Sequence, residues 1–223
     1  MERWDAHGNV YLVTEETLDA EDVRREVGDA DGIVQVLARG DDWAEVVIWN
    51  PDGSTAELSG NATRIAAAWL GSERTIVRVG TREVLARRLP DGRIEQDIGA
   101  VNVSAPERIA GYEVIPVDVG NPHAVVVGDP AELPRIGPVL ETHPRFPQRT
   151  NVQVARVDAP GRVTARVWER GVGETSASGT SAVAVAAATH GDGEVVVAFP
   201  GGDLHVRLEH GRAWLTGSAE RLH

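Results

Sequence analysis

The feature that most constrains this chain is that it repeats itself. The stretch "VVIWNPDGSTAELSGNATRIAAAWL" is matched by "ARVWERGVGETSASGTSAVAVAAAT" later in the chain. Trp49 precedes Ser59 by ten residues, Trp168 precedes Ser178 by ten, and the two serines are 119 residues apart. That period is about half of a 223-residue chain, which describes one duplicated unit rather than a solenoid of short repeats. A duplication of this kind predicts two lobes related by a pseudo-two-fold axis, with the join near residues 108–113.

Within each copy the pattern is mostly strand. "AEVVIWN", "TIVRVGT", "EVIPVDVG", "NVQVARV", "RVTARVWE", "EVVVAFP" and "DLHVRLE" are short β-branched runs, several of them alternating. Turn signals such as Pro90-Asp91-Gly92 and Pro160-Gly161 separate them. Two alanine-rich helices are predicted over 61–70 and 180–189, one per copy. An amphipathic helix is expected over 18–27, and a proline-broken one over 131–142.

Each alanine-rich helix is preceded by Ser-Gly. A helix start offers unpaired N–H groups and the positive end of its dipole, so it stabilises an anion. Gly60 and Gly179 let a ligand come close to the backbone. Serine is also a favoured N-cap. Ser59 and Ser178 therefore read either as caps or as groups on two faces of one ligand. Two proton-transfer groups flanking one carbon are what a racemase or epimerase needs, with the carbanion stabilised by oriented dipoles.

Composition narrows the chemistry. The chain has no cysteine, which excludes disulfides and thiolate nucleophiles, and no lysine, which excludes a lysine Schiff base. Net charge is −12 and no basic run tracks a phosphate backbone, so nucleic acid is not an expected partner. No apolar run reaches membrane-spanning length and the N-terminus lacks the shape of a signal peptide, so a cytoplasmic protein without membrane association is expected. The seven histidines show no metal-ligand spacing. The expected partner is a small-molecule substrate, with a homodimer left open.

The segments "NPDGSTAELSGNATR" and "ERGVGETSASGTS", together with "HGNVYLV", "DADGIV", "VGNPHAVVV" and "PQRTNVQV", resemble the signatures of the diaminopimelate epimerase family, in the family's order and over nearly the whole chain. The resemblance implies an α+β protein of two pseudo-symmetric lobes, each a curved, mostly antiparallel sheet around a central helix, with the active site in the interlobe cleft. The lobes would cover 1–110 and 111–214, with 215–223 returning to the first. It implies interconversion of LL- and meso-diaminopimelate, on the way to lysine and peptidoglycan, without a cofactor.

Carried over position by position, the resemblance places Ser59 and Ser178 where the family has catalytic cysteines. Gly60-Asn61 and Gly179-Thr180 would hold the α-carboxylate. Asn9, Asn50, Asn121 and Asn151 match substrate-binding asparagines, Glu169 and Arg170 a substrate-recognising pair, and His123 a histidine beside the first catalytic position.

Serine in both catalytic positions is the departure. A hydroxyl is a far weaker acid than a thiol with a pKa near 8.5. A helix dipole contributes about 1 kcal/mol, and each pKa unit is worth about 1.4 kcal/mol, so the dipole does not close the gap. Another base is required, and Glu169, Glu174 and His123 are the candidates nearby in sequence. An epimerase, a homologue that binds a diamino diacid without the reaction, and a different isomerase of the same fold all remain open.

Overall fold

The computed structural model describes residues 1–56 and 58–222. Glu57, inside the first signature segment, and His223 lie outside the described residues. The chain forms two compact units. Unit 1 comprises Met1–Asp97 and the C-terminal residues from Thr216, and unit 2 comprises Ile98–Leu215.

In unit 1, strands β1 (Glu2–Ala6) and β2 (Asn9–Thr14) lead to helix α1 (Ala20–Glu26). Then follow β3 (Gly32–Arg39), β4 (Trp43–Trp49), β5 (Thr55–Ala56), helix α2 (Gly60–Leu70), β6 (Arg74–Val79), β7 (Arg82–Arg88) and β8 (Ile94–Ala100), whose last residues enter unit 2. Unit 2 continues with β9 (Asn102–Val103), β10 (Glu107–Ile109), β11 (Tyr112–Asp118) and β12 (Pro122–Val127). A 3-10 turn (Pro130–Glu132) leads into α3 (Leu133–Glu141). After it come β13 (Asn151–Ala159), β14 (Arg162–Glu169), β15 (Gly173–Thr175), α4 (Gly179–Thr189), β16 (Gly193–Phe199), β17 (Gly202–Glu209) and β18 (Arg212–Gly217). Strand β19 (Glu220–Arg221) closes the chain in unit 1.

The two units repeat the same register. In unit 1, β2 runs parallel to β3 with Tyr11 opposite Gly32, and Trp49 on β4 faces Ile33. In unit 2, β12 runs parallel to β13 with His123 opposite Asn151, and Trp168 faces Val152. Tyr11 and His123 thus hold the same place. Two residues before each stands an asparagine, Asn9 or Asn121, preceded by a left-handed glycine (Gly8, φ 78°; Gly120, φ 87°). A side chain at that φ would be strained, so these glycines set the turn into the parallel strand.

The segment 108–113, expected as the join, is the β10–β11 hairpin within unit 2, turning through Ala110 and Gly111. Two of the two-residue strands are placed alike. β9, which follows β8, pairs with β11 in unit 2, and β19, which follows β18, pairs with β1 in unit 1.

Helices α2 and α4 are the cores of their units. Every residue from Asn61 to Ala68 is buried, and α2 packs against Val34, Val46, Ile48 and Val77. α4 packs against Val163, Val167, Val197 and Leu204. Small alanine side chains let the surrounding strands pack closely on both helices; an added methylene at a tightly packed alanine there costs about 1–3 kcal/mol. Gly71, at φ 82°, ends α2.

The shorter helices cover the opposite faces. α1, capped by Asp19 through a capping box with Asp22, buries Val23 beside Ile33. α3 lays Leu133, Ile136 and Leu140 on Val152 and Val154. The first five residues of β3 and of β13 are therefore buried on both faces, and the remainder of each strand is exposed. Among the described residues, no helix is long and apolar enough to cross a membrane.

Candidate functional site

The first half-site is the start of α2. Ser59 is in extended conformation, and its Oγ accepts the Ala62 N–H at 3.2 Å, so it is a working N-cap. Its hydroxyl also lies 3.4 Å from the Tyr11 hydroxyl. Asn9 is two residues before Tyr11 and so on the same face of β2. Gly60 opens the helix. Asn61 is buried, with its Oδ1 accepting Arg64 Nη2 at 2.7 Å. Asn50 closes the β4–β5 turn, where its Nδ2 donates to Ser54 Oγ at 2.9 Å and its backbone N–H to Ser54 O at 2.8 Å.

The second half-site is the start of α4, and it differs. Ser178 has the same backbone conformation and is buried, but makes no capping hydrogen bond. Gly179 is buried and Thr180 half-buried behind it. A chain of hydrogen bonds runs through the interior of unit 2. Gln153 Nε2 bridges Ser181 Oγ (2.9 Å) and His123 Nδ1 (3.0 Å), and His123 Nε2 meets Asn121 Oδ1 at 2.9 Å.

An amide nitrogen only donates, so His123 Nδ1 accepts and its Nε2–H donates to Asn121. Burial, with the Arg170 charge adding to it, pushes the His123 pKa down to about 3. His123 belongs to unit 2, where its Nε2–H donates to Asn121 Oδ1 and Gln153 links it to Ser181 on α4. In this arrangement the Nδ1 lone pair is engaged by Gln153 Nε2.

The Glu169–Arg170 pair sits in the β14–β15 turn, held from below. Glu141, on α3, accepts Trp168 Nε1–H at 2.8 Å and Gly171 N–H at 2.7 Å. Asn151 Oδ1 accepts the Arg170 N–H at 3.0 Å while its Nδ2 donates to Pro122 O at 3.1 Å, so one N–H and one lone pair of this amide serve the fold. Thr175 Oγ1 donates to Glu169 Oε1 at 2.6 Å. Arg170 is exposed, and its Nη1 reaches Gln148 O at 3.3 Å. Glu174 is taken by Arg166 in a two-pronged pair at 2.6 and 2.7 Å.

Tyr11, Glu141, Gln153 and Arg64 were not expected from sequence. Each carries a signal in retrospect. Glu141 falls on the apolar stripe of α3 with Leu133, Ile136 and Leu140. Gln153 interrupts a buried strand, and Arg64 interrupts an apolar helix. Tyr11 follows Gly-Asn as His123 does. Among the described residues, no group of three or more His, Asp or Glu side chains is placed to hold a metal ion.

Comparison with known proteins is consistent across sequence and fold. The family model described as diaminopimelate epimerase matches residues 115–222. A diaminopimelate epimerase of Desulforudis audaxviator is 37% identical, across 86% of this chain and 82% of that protein. One of Magnetococcus marinus is 38% identical, across 90% and 83%. Among solved structures, a predicted epimerase of Pseudomonas aeruginosa superposes with a TM-score of 0.76 over 100% of this chain and 96% of that one at 16% identity, which speaks to the fold.

Proposed function

The chain belongs to the diaminopimelate epimerase family, and on that premise we propose that it is a cofactor-independent epimerase acting at the α-carbon of a diamino diacid, interconverting LL- and meso-diaminopimelate. The observation that carries this reading is the pair of Ser-Gly helix starts, Ser59-Gly60 and Ser178-Gly179, in matched register. A two-base reaction needs one such group on each face of the α-carbon. One group removes the α-proton, and the other returns a proton to the opposite face while the helix N–H groups stabilise the carboxylate and the developing negative charge.

The serines need partners. At the first half-site Tyr11 is placed to pass a proton to Ser59 as Ser59 gives its own to the carbanion, leaving a phenolate and a reprotonated substrate. At the second, Glu169 is the base for the α-proton in this reading, with its Oε1 oriented by the Thr175 hydroxyl at 2.6 Å. Arg170, exposed beside it, suits the distal carboxylate.

One observation favours a second reading. Serine at both acid/base positions also suits a homologue that binds the diacid and leaves its stereochemistry alone. Incubation with LL-diaminopimelate in heavy water separates the two. Loss of the α-proton NMR signal supports the epimerase, and binding without exchange at high protein concentration supports the second reading.

A further inference from the structure

Arg64 is the largest fully buried side chain among the described residues. It lies in the second turn of α2, close to the positive end of the helix dipole, where a cation is disfavoured. Taking a guanidinium out of water costs several kcal/mol unless its donors are met. Here Nε donates to Ser218 O at 2.9 Å, Nη2 donates to Asn61 Oδ1 at 2.7 Å, and Nη1 meets no acceptor among the described residues. The Ser218 N–H in turn donates to His7 Nε2 at 3.1 Å, so the returning C-terminal segment is tied at both polar atoms of one peptide residue. Burial lowers the Arg64 pKa to about 10, with the Asp5 carboxylate opposing, so the group stays charged.

Packing does not call for this residue. The position 119 residues on is Val183, fully buried in the core of unit 2 against an equivalent sheet. A valine fills that place without leaving any polar atom to satisfy. The cation has been placed beside only one of the two helix starts, the one that carries an asparagine.

We infer that Arg64 is a positioning residue of the first half-site: by holding Asn61 through its oxygen it turns the carboxamide N–H groups toward a bound carboxylate. This rests on the reading of the α2 start as the cradle of the substrate's α-carboxylate. It adds the residue that makes the cradle selective for an anion. The ligand class is a simple carboxylate, and the rest of the substrate is recognised elsewhere.

The test uses acetate as the probe, at ionic strength held constant with chloride, on the ¹⁵N-labelled full chain. In the wild type, acetate shifts the backbone amides of Gly60 and Asn61, the Asn61 Nδ2 signal and the Arg64 Nε signal with one dissociation constant. Arg64→Met weakens acetate about tenfold, the value of one charge-assisted hydrogen bond. Asn61→Ala weakens it similarly, and the double variant is within about twofold of either single one, because both act through the same amide.

A wild type whose Gly60 and Asn61 amides ignore acetate overturns the inference. So does a folded Arg64→Met that binds acetate like the wild type, or a double variant whose losses add. If Arg64→Met does not fold, the Arg64 Nε signal of the wild type decides alone: it moves with acetate or the inference fails. LL-diaminopimelate is then added as competitor. Acetate binding without competition would sink the proposed substrate while leaving the role of Arg64 standing.

Discussion

The hydroxyls of Tyr11 and Ser59 stand 3.4 Å apart. That is a long hydrogen bond, of the kind that tightens when a ligand completes the site. A phenol, with an ordinary pKa near 10, is a much better proton source than a serine. Tyr11→Phe is therefore expected to slow α-proton exchange of LL-diaminopimelate about 10- to 100-fold, with diamino diacid affinity changed little. Unchanged exchange in the variant would remove Tyr11 from the reaction.

The two serines should separate in stability before any activity is measured. Ser59 caps α2 and Ser178 does not cap α4. Ser59→Ala should cost about 1 kcal/mol, and Ser178→Ala less than that, since no capping hydrogen bond is lost. Urea unfolding of both variants decides this. Equal losses would show that the asymmetry of the two helix starts does not persist in solution.

Restoring acid strength at both positions should raise activity. Ser59→Cys combined with Ser178→Cys replaces two hydroxyls by thiols that ionise near neutrality at a helix start. Exchange in heavy water is expected to rise at least about tenfold, since even one pKa unit is worth that factor. If the double variant binds the diacid and exchanges no faster, the half-sites do not work as a proton-transfer pair.

Glu141 ties α3 to the turn that carries Glu169 and Arg170. Burial pushes its pKa up, but the Gly171 N–H, the Trp168 indole and Arg149 together outweigh that and hold it below its ordinary value. A carboxylate depressed in the folded state stabilises the fold above the unfolded pKa, about 4.3, and that contribution is lost as pH falls through the lower folded value. Glu141→Gln is expected to cost about 1.5–3 kcal/mol at pH 7 and to be less sensitive to acid than the wild type. Parallel stability curves for the two proteins would refute this.

His123 has the opposite chemistry and the same direction. The unfolded chain takes up a proton below about pH 6.5, while the folded imidazole stays neutral down to about 3. Stability should therefore fall as pH drops across that window, by up to about 1.4 kcal/mol per pH unit for one proton. Imidazole NMR shifts of His123 should stay flat from pH 8 to 4. A titration midpoint near 6 would mean that the Asn121–His123–Gln153 chain opens in solution.

Much of the fold can be read from composition and spacing. Alanine-rich runs after Ser59 and Ser178 mark helices because alanine has the highest intrinsic helix propensity. The helix expected over 18–27 runs Ala20–Glu26, since Asp19 supplies the cap, and the one expected over 131–142 becomes a 3-10 turn followed by Leu133–Glu141. The roles of Glu141, Gln153 and Arg64 were not legible. Their partners, Trp168, His123 and Ser218, lie 27, 30 and 154 residues away, and local pattern carries nothing about contacts at that range.

The sequence by itself determined the duplication, the strand-rich halves and the two Ser-Gly helix starts, because these follow from periodicity, turn residues and capping, all of which act over a few residues. Only the tertiary structure decided what each polar group is bonded to. Ser59 became a cap and Ser178 did not, His123 became a buried donor, and β9 and β19 paired with β11 and β1. Those outcomes depend on which buried donor meets which acceptor once distant strands have packed, since in the interior each such group must find a partner or bear the cost of lost water.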